Sequence, residues 1–284
     1  MLKLSVYTNG HSATWPALQY GAHLAEALGQ PLQLIAIDES DQPLLPEAAH
    51  PLEAFLEQAR KLFQEHHVMY ELEIHRGHAE DIIPARVNAS AEGLHLVAPL
   101  GRPPLRRLFW GRSFRHIMAR AVAPLLYVPR FLWPPQEVLI CVGGIGYEVT
   151  AERIGLQLAR HFQAHVTLFT VIPHADLDYP LVHQVQEHEQ DLWETDTPIG
   201  RALRRGLEQA HSLGLEVAVK VRHGEVVEEI LKEIRQHKPQ LICMGSPFSS
   251  QSLRHYYMPN VTAEVAESGL APVLTARFFT DHRP

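Results

Sequence analysis

The sequence predicts an α/β protein made of two doubly wound domains, each around a five-stranded parallel sheet. Strand-like and helical segments alternate along the whole chain, the pattern occurs twice, and consecutive prolines separate the two copies. Near the start of each copy lies a strand-like run, Leu2 to Tyr7 and Val138 to Val142. A small polar or glycine turn follows each, Asn9-Gly10 and Gly143-Gly144.

A shift of 134 residues pairs Tyr20-Gly21-Leu24-Ala25-Leu28 with Ile154-Gly155-Leu158-Ala159-Phe162. Apolar residues at this spacing give each segment one buried helical face. The same shift pairs Leu32-Leu34-Ile35-Ile37 with Val166-Leu168-Phe169-Val171 as second strands. Later segments align at a shift of about 147. Tyr70-Leu72-Ile74 before Gly77 matches Val217-Val219-Val221 before Gly224, and the alternation predicts a strand at or near a sheet edge, with one face more exposed. Helices are predicted over 79–91 and 225–237. Leu94 to Ala98 and Leu241 to Gly245 then read as buried strands, and Pro124 to Val128 matches Pro272 to Ala276 as the last. The change of shift puts about 13 extra residues in the second copy, within 173–200, where Pro173, Pro180 and Pro198 predict loop or lid. Each copy reads β-α-β-α-β-α-β-α-β. The boundary falls at Phe131-Leu-Trp-Pro-Pro135, dividing the chain into 1–132 and 133–284.

Composition narrows the function classes. A hydrophobic fraction of 46% against 20% charged predicts packed cores. No apolar run reaches the ~18 residues of a membrane span. The N-terminus enters a strand without a signal peptide's apolar region, and Cys141 and Cys243, both in apolar runs, read as buried thiols. These features predict a cytoplasmic location. The formal charge of −7 argues against general nucleic-acid binding.

Between a strand and a helix, Gly101 and Gly111 stand with nine residues between them in Gly101-Arg-Pro-Pro-Leu-Arg-Arg-Leu-Phe-Trp-Gly111-Arg-Ser113. Glycine lets a backbone approach a phosphate, and a helix N-terminus presents free N–H groups, so this is a candidate phosphate loop. Arg102, Arg106, Arg107, Arg112 and Arg115 crowd the stretch. They read either as a phosphate clamp or as a basic loop that is solvated or paired with the other copy's carboxylates.

Both copies resemble the universal stress protein domain over about 2–130 and 136–278. That family combines an early Val-Asp-Gly-Ser turn with a late Gly-x-x-Gly-x9-Gly-[Ser/Thr] loop. The resemblance implies an adenine nucleotide alpha hydrolase-like, Rossmann-like fold with strand order 3-2-1-4-5. It also implies that the copies meet through their last strands as an internal pseudo-dimer. ATP is the ligand implied, with adenine near Asn9, Gly10 and Ile37. Phosphates would lie along Gly101, Gly111 and Ser113, with Arg112 as a charge partner. Asn9 stands where the family has the adenine-contacting Asp, and Ala98 at the first loop glycine. Arg112 takes the place of the phosphate-binding Ser or Thr, and Pro103 and Pro104 each remove a backbone donor. In the second copy Gly143 replaces the Asp, Gly245-Ser246 fits the loop start, Phe248 takes the second glycine position, and Pro259-Asn260 stands where Gly-Ser would be.

Other clusters carry less. His66-His67, His75 with His78, and His183 with Glu187 and His188 lack a recognisable zinc spacing, so no metal site is expected. If the first and fourth strands are neighbours, as that order implies, Cys141 and Cys243 lie close in one sheet.

Three functions stay open. The first is a non-catalytic stress-response regulator with weak or altered ATP binding. The second is a slow ATPase, for which both turns lack the family's Asp. The third is an interaction scaffold or apolar-ligand module with no nucleotide. A homodimer and a regulatory protein partner are compatible with each.

Overall fold

Near-continuous apolar runs form strands whose two faces are both covered, and that is how the inner strands of this chain fold. The chain divides into two units, Met1–Phe131 and Leu132–Pro284. A computed structural model describes residues 3–40, 51–90, 93–103, 113–173, 189–246 and 261–277 of it. In the first unit β1 (Lys3–Thr8), α1 (Trp15–Leu28), β2 (Leu32–Asp38), α2 (Pro51–Glu65), β3 (Tyr70–Arg76), α3 (Ala79–Ala89), β4 (Gly93–Val97), α4 (Ser113–Arg120) and β5 (Leu125–Tyr127) alternate. The second unit repeats the order with β6 (Glu137–Cys141), α5 (Val149–Phe162), β7 (His165–Ile172), α6 (Pro198–Ser212), β8 (Val217–His223), α7 (Val226–His237), β9 (Leu241–Ser246), α8 (Val261–Glu267) and β10 (Val273–Arg277).

Within each unit the strands pair in parallel, in the order β3-β2-β1-β4-β5 and β8-β7-β6-β9-β10. This is the doubly wound class expected from the alternation, in the 3-2-1-4-5 order implied by the resemblance. Right-handed crossovers place α1 and α2 on one face of the first sheet and α3 and α4 on the other. Accordingly α1 touches α2, α3 touches α4, and in the second unit α5 touches α6 and α7 touches α8.

Local chemistry sets several helix ends. Pro16 sits in the first turn of α1, and Gly29 closes that helix in a left-handed conformation. Thr197 caps α6 by accepting from Gly200 N–H at 3.0 Å, with Pro198 next in the first turn. The segment 173–200 holds a short 3-10 helix, Glu189–Glu194, and the start of α6, while residues 174–188 lie outside the described residues.

Core positions follow the strand alternation. On β1 and β4, Tyr7 and His95 are buried together, the Tyr7 hydroxyl 2.9 Å from His95 Nδ1. His95 Nε2 lies 3.0 Å from the Ser90 carbonyl, so that nitrogen carries the proton and Nδ1 accepts from Tyr7. Burial lowers the His95 pKa and raises that of Tyr7, so both stay neutral. Cys141 and Cys243 do lie on neighbouring strands, Cys243 in register with Ile140. Alternation therefore turns the two thiols to opposite faces of the sheet. Burial pushes Cys141 up to about 12 and raises Cys243 as well, so neither is a thiolate near neutral pH.

Candidate functional site

The carboxyl ends of β1, β2 and β4 converge with the N-terminus of α3, and in an open parallel sheet that is where ligands gather. The turn after β1 is organised by its own side chains. Thr8 Oγ1 accepts from Gly10 N–H at 3.1 Å and Asn9 Oδ1 accepts from His11 N–H at 3.2 Å. Asn9 Nδ2 donates to Glu39 at 2.8 Å and to the Leu100 carbonyl at 3.2 Å. The Asn9 amide thus ties the end of β1 to the ends of β2 and β4, with both its polar atoms used.

Arg102 closes the arrangement. Its Nε and Nη2 donate to Glu80 at 2.8 and 2.6 Å, while Nη1 donates to Glu39 at 2.6 Å and Nη2 bonds the other Glu39 oxygen. Ala79 N–H, opening α3, donates to Glu39 at 2.9 Å, and Ser113 Oγ donates to Glu80 at 2.8 Å. The three charged side chains are largely buried, Arg102 being 11% exposed. Burial by itself would raise the two carboxyls. The hydrogen bonds outweigh it, holding Glu39 below the usual carboxylate range and Glu80 at about 2. Burial disfavours the guanidinium charge too, but the two carboxylates raise the Arg102 pKa above its ordinary value.

Of the residues singled out in the sequence, Asn9, Gly10, Gly101 and Ser113 meet in or beside this cluster. Ile37 is fully buried within β2. Gly111 and Arg112 lie outside the described residues. Gly101 has φ +67, and a β-carbon there would stand 2.2 Å from the His11 ring. The imidazole therefore covers the glycine that a phosphate would approach, while its Nδ1 accepts from Ala13 N–H at 3.0 Å. Leu52 lies against Gly10 in the same way, 3.1 Å from the β-carbon position. A cavity of about 210 Å³ opens beside the cluster, lined by Asp38, Glu39, Ser40, Arg76, Gly77 and His78. Its cation, Arg76, already faces Asp38 at 3.5 Å, and Glu39 is held by Arg102.

In the second unit the equivalent ground is filled by backbone. A β-carbon on Gly245 would stand 2.4 Å from the Tyr147 carbonyl carbon and 2.5 Å from Glu148 N. Ser246 is buried, its hydroxyl without a hydrogen-bond partner among the described residues, and Thr262 donates to the Gly245 carbonyl at 2.6 Å. Ile199 covers Gly144, its nitrogen 2.7 Å from the β-carbon position there. Phe248 and Asn260 lie outside the described residues. Behind this loop Arg205 bridges Glu148 and Glu152 at 3.1 Å each. Burial raises Glu152 even with Arg205 beside it.

The phosphate-type donors of the first unit, Arg102 and Ser113, are thus engaged by the protein's own carboxylates, and His11 covers Gly101. A nucleotide polyphosphate held against these groups does not fit the arrangement without displacing Glu39 and Glu80. The sequence pointed to the arginine run but missed Glu39, Glu80 and His11. Their signal was position: Glu39 follows β2 directly, Glu80 sits in the first turn of α3, and His11 closes the β1 turn. Among the described residues no three His, Cys, Asp or Glu side chains converge as metal ligands.

Two units with strands in 3-2-1-4-5 order, each with its turns at the carboxyl ends of the strands, define a tandem doubly wound α/β architecture. The universal stress protein family model matches residues 135–277, half of the chain, and the chain belongs to that family. A universal stress protein from Archaeoglobus fulgidus shares the fold with a TM-score of 0.67 and 12% identity, covering 98% of this chain and 97% of that one. A functionally unknown protein from Pseudomonas aeruginosa is similar with a TM-score of 0.60 and 14% identity, over 96% of this chain and 92% of its own. No curated protein sequence matches the chain. No helix among the described residues is long and apolar enough to cross a membrane.

Proposed function

We propose that this protein is a non-catalytic stress-response regulator that works through interactions, with adenine-nucleotide binding in its first unit weak and dependent on opening the Glu39–Arg102–Glu80 clasp. The observation that carries the reading is the clasp itself. Two carboxylates satisfy the guanidinium and one also takes the Ser113 hydroxyl, so an incoming phosphate must exchange one set of charge-assisted bonds for another. A ligand that gains only the difference between the two sets binds weakly. The turn that would face the base supplies Asn9, whose amide is already bonded to Glu39 and Leu100. The non-catalytic reading is supported by the residues at the two turns, Asn9 and Gly143, neither of which offers a carboxylate to a phosphate-bound metal.

Equilibrium dialysis of the full chain against labelled ATP tests this. Binding is expected only near millimolar nucleotide, and Glu80→Gln is expected to tighten it by removing a competing charge. Binding below about 1 μM by the unaltered protein, a binding energy above ~8 kcal/mol, contradicts a closed cleft. Metal-dependent hydrolysis abolished by Gly101→Val contradicts the non-catalytic reading.

A further inference from the structure

Met69, Leu72 and Ile74 are 77%, 45% and 60% exposed, three of the four large apolar side chains so exposed among the described residues, and all lie on or beside β3. β3 is the outermost strand of the first sheet. Leu32 N–H donates to the Met69 carbonyl and Gly77 N–H donates to the Asp38 carbonyl. Odd-numbered residues therefore bond to β2, and the N–H and C=O groups of Tyr70, Leu72, Ile74 and Arg76 point to the open edge. An edge strand with an exposed apolar row is a template for another strand.

We propose that this edge pairs with the same edge of a second copy of the chain, antiparallel and two-fold symmetric about Ile74. Charge decides the occupant and the register. With Ile74 opposite Ile74 of the second copy, Glu73 of each copy stands opposite the other's His75 as a close, non-hydrogen-bonded pair. Leu72 then lies against the aliphatic stem of Arg76, and Glu71 faces Gly77. Shifting the axis to Leu72 sets Glu71 against Glu73 twice, and shifting it to Glu73 sets that carboxylate against itself, so of these three axes the one at Ile74 alone avoids facing carboxylates and alone gives Glu73 an imidazole opposite. The second unit's counterpart, β8, cannot pair with itself in this way. Its central residues are Lys220, Val221 and Arg222, and its middle registers oppose cation to cation. Of two copies of one edge, lysine and arginine blunt the second, and the first keeps the exposed apolar row of Leu72 and Ile74. A two-fold pairing also closes on itself and limits the assembly to a dimer.

Sedimentation velocity of the full chain from about 1 to 100 μM, the span expected of a small interface, tests the proposal. The unaltered protein is expected to pass from monomer to dimer. Ile74→Lys, which brings two ammonium groups together at the axis, is expected to weaken the dimer at least about tenfold. Its circular dichroism, and its melting temperature at about 1 μM where both proteins are monomeric, should not change. Val221→Lys, the equivalent change on β8, is expected to leave the dimer intact. Ile74→Cys is expected to give a dimer cross-linked by a short bis-maleimide, an independent readout should Ile74→Lys fold poorly. A chain that stays monomeric throughout overturns the proposal, as does a dimer that survives Ile74→Lys or is lost in Val221→Lys. Species larger than a dimer overturn it too, since they point to head-to-tail pairing of β3 with β8.

Discussion

Arg102 and Glu80 are joined by two parallel hydrogen bonds, Nε to Oε1 at 2.8 Å and Nη2 to Oε2 at 2.6 Å. This fork-to-fork geometry is the strongest form of a carboxylate–guanidinium pair, and little solvent screens it. It fixes the loop after β4 to the first turn of α3 across 22 residues of sequence.

That pair makes stability acid-sensitive. Glu80 sits at about 2 in the folded protein against an ordinary value of 4.5. A carboxyl depressed in this way stabilises the fold above its unfolded pKa, and the contribution is lost as pH falls through the folded value. Between pH 5 and pH 2.5 the unaltered protein is therefore expected to lose on the order of 1–3 kcal/mol that Glu80→Gln does not lose. Urea denaturation of both proteins at the two pH values checks this.

The Tyr7–His95 pair gives a second pH signature of different origin. Burial lowers the His95 pKa below 6.5, so the folded state resists a proton that the unfolded chain accepts. Stability is full above the unfolded value and falls as pH drops below it. His95→Gln is expected to flatten that slope between about pH 7.5 and 5.5, read by thermal melts. Tyr7→Phe should keep the slope but cost about 1–3 kcal/mol, because it leaves the buried His95 Nδ1 without a donor.

These two clusters mark what sequence reading reaches and what it does not. Repetition at fixed shifts revealed both sheets, since apolar periodicity is a local property that survives divergence between copies. The exposed face of β3 was legible in the alternation of Tyr70, Leu72 and Ile74. The clasp was not legible, because its three members come from the end of β2, the start of α3 and the loop after β4. A run of arginines looks the same whether solvent or a distant carboxylate answers it. The alternative in which arginines pair with carboxylates holds for Arg102, but with Glu39 and Glu80 of its own unit.

Close packing between α5 and β9 supplies a test of the second core. A β-carbon on Gly155 would stand 2.4 Å from Cys243 Sγ, while its next neighbours, Cys243 Cβ at 3.4 Å and Ile140 Cδ1 at 3.8 Å, are at ordinary contact. Gly155→Ala is therefore expected to lose about 1–3 kcal/mol by overpacking. Cys243→Ala removes the offending sulfur, and in that background the same substitution is expected to be neutral or to gain up to about 1 kcal/mol from helix propensity. The sign change, measured as a double-mutant cycle, separates a steric cause from a general intolerance of the position.

The edge strands carry the same ion pair with its polarity reversed. Glu73 on β3 binds Arg86 on α3 at 2.5 Å, and 147 residues later Lys220 on β8 binds Glu233 on α7 at 2.8 Å. Burial decides which pair matters more. Glu73 and Arg86 are about one-third exposed, so Arg86→Ala is expected to cost about 1 kcal/mol or less. Glu233 is 2% exposed and also accepts from Arg222 at 2.6 Å and meets His237 at 2.8 Å. Losing it leaves Lys220 without a carboxylate partner among the described residues and Arg222 with Glu229 alone, at 3.3 Å, so Glu233→Ala is expected to cost about 3 kcal/mol. Urea midpoints of the two variants should differ accordingly. Equal losses would mean that the buried carboxylate is solvated more fully than its surroundings indicate.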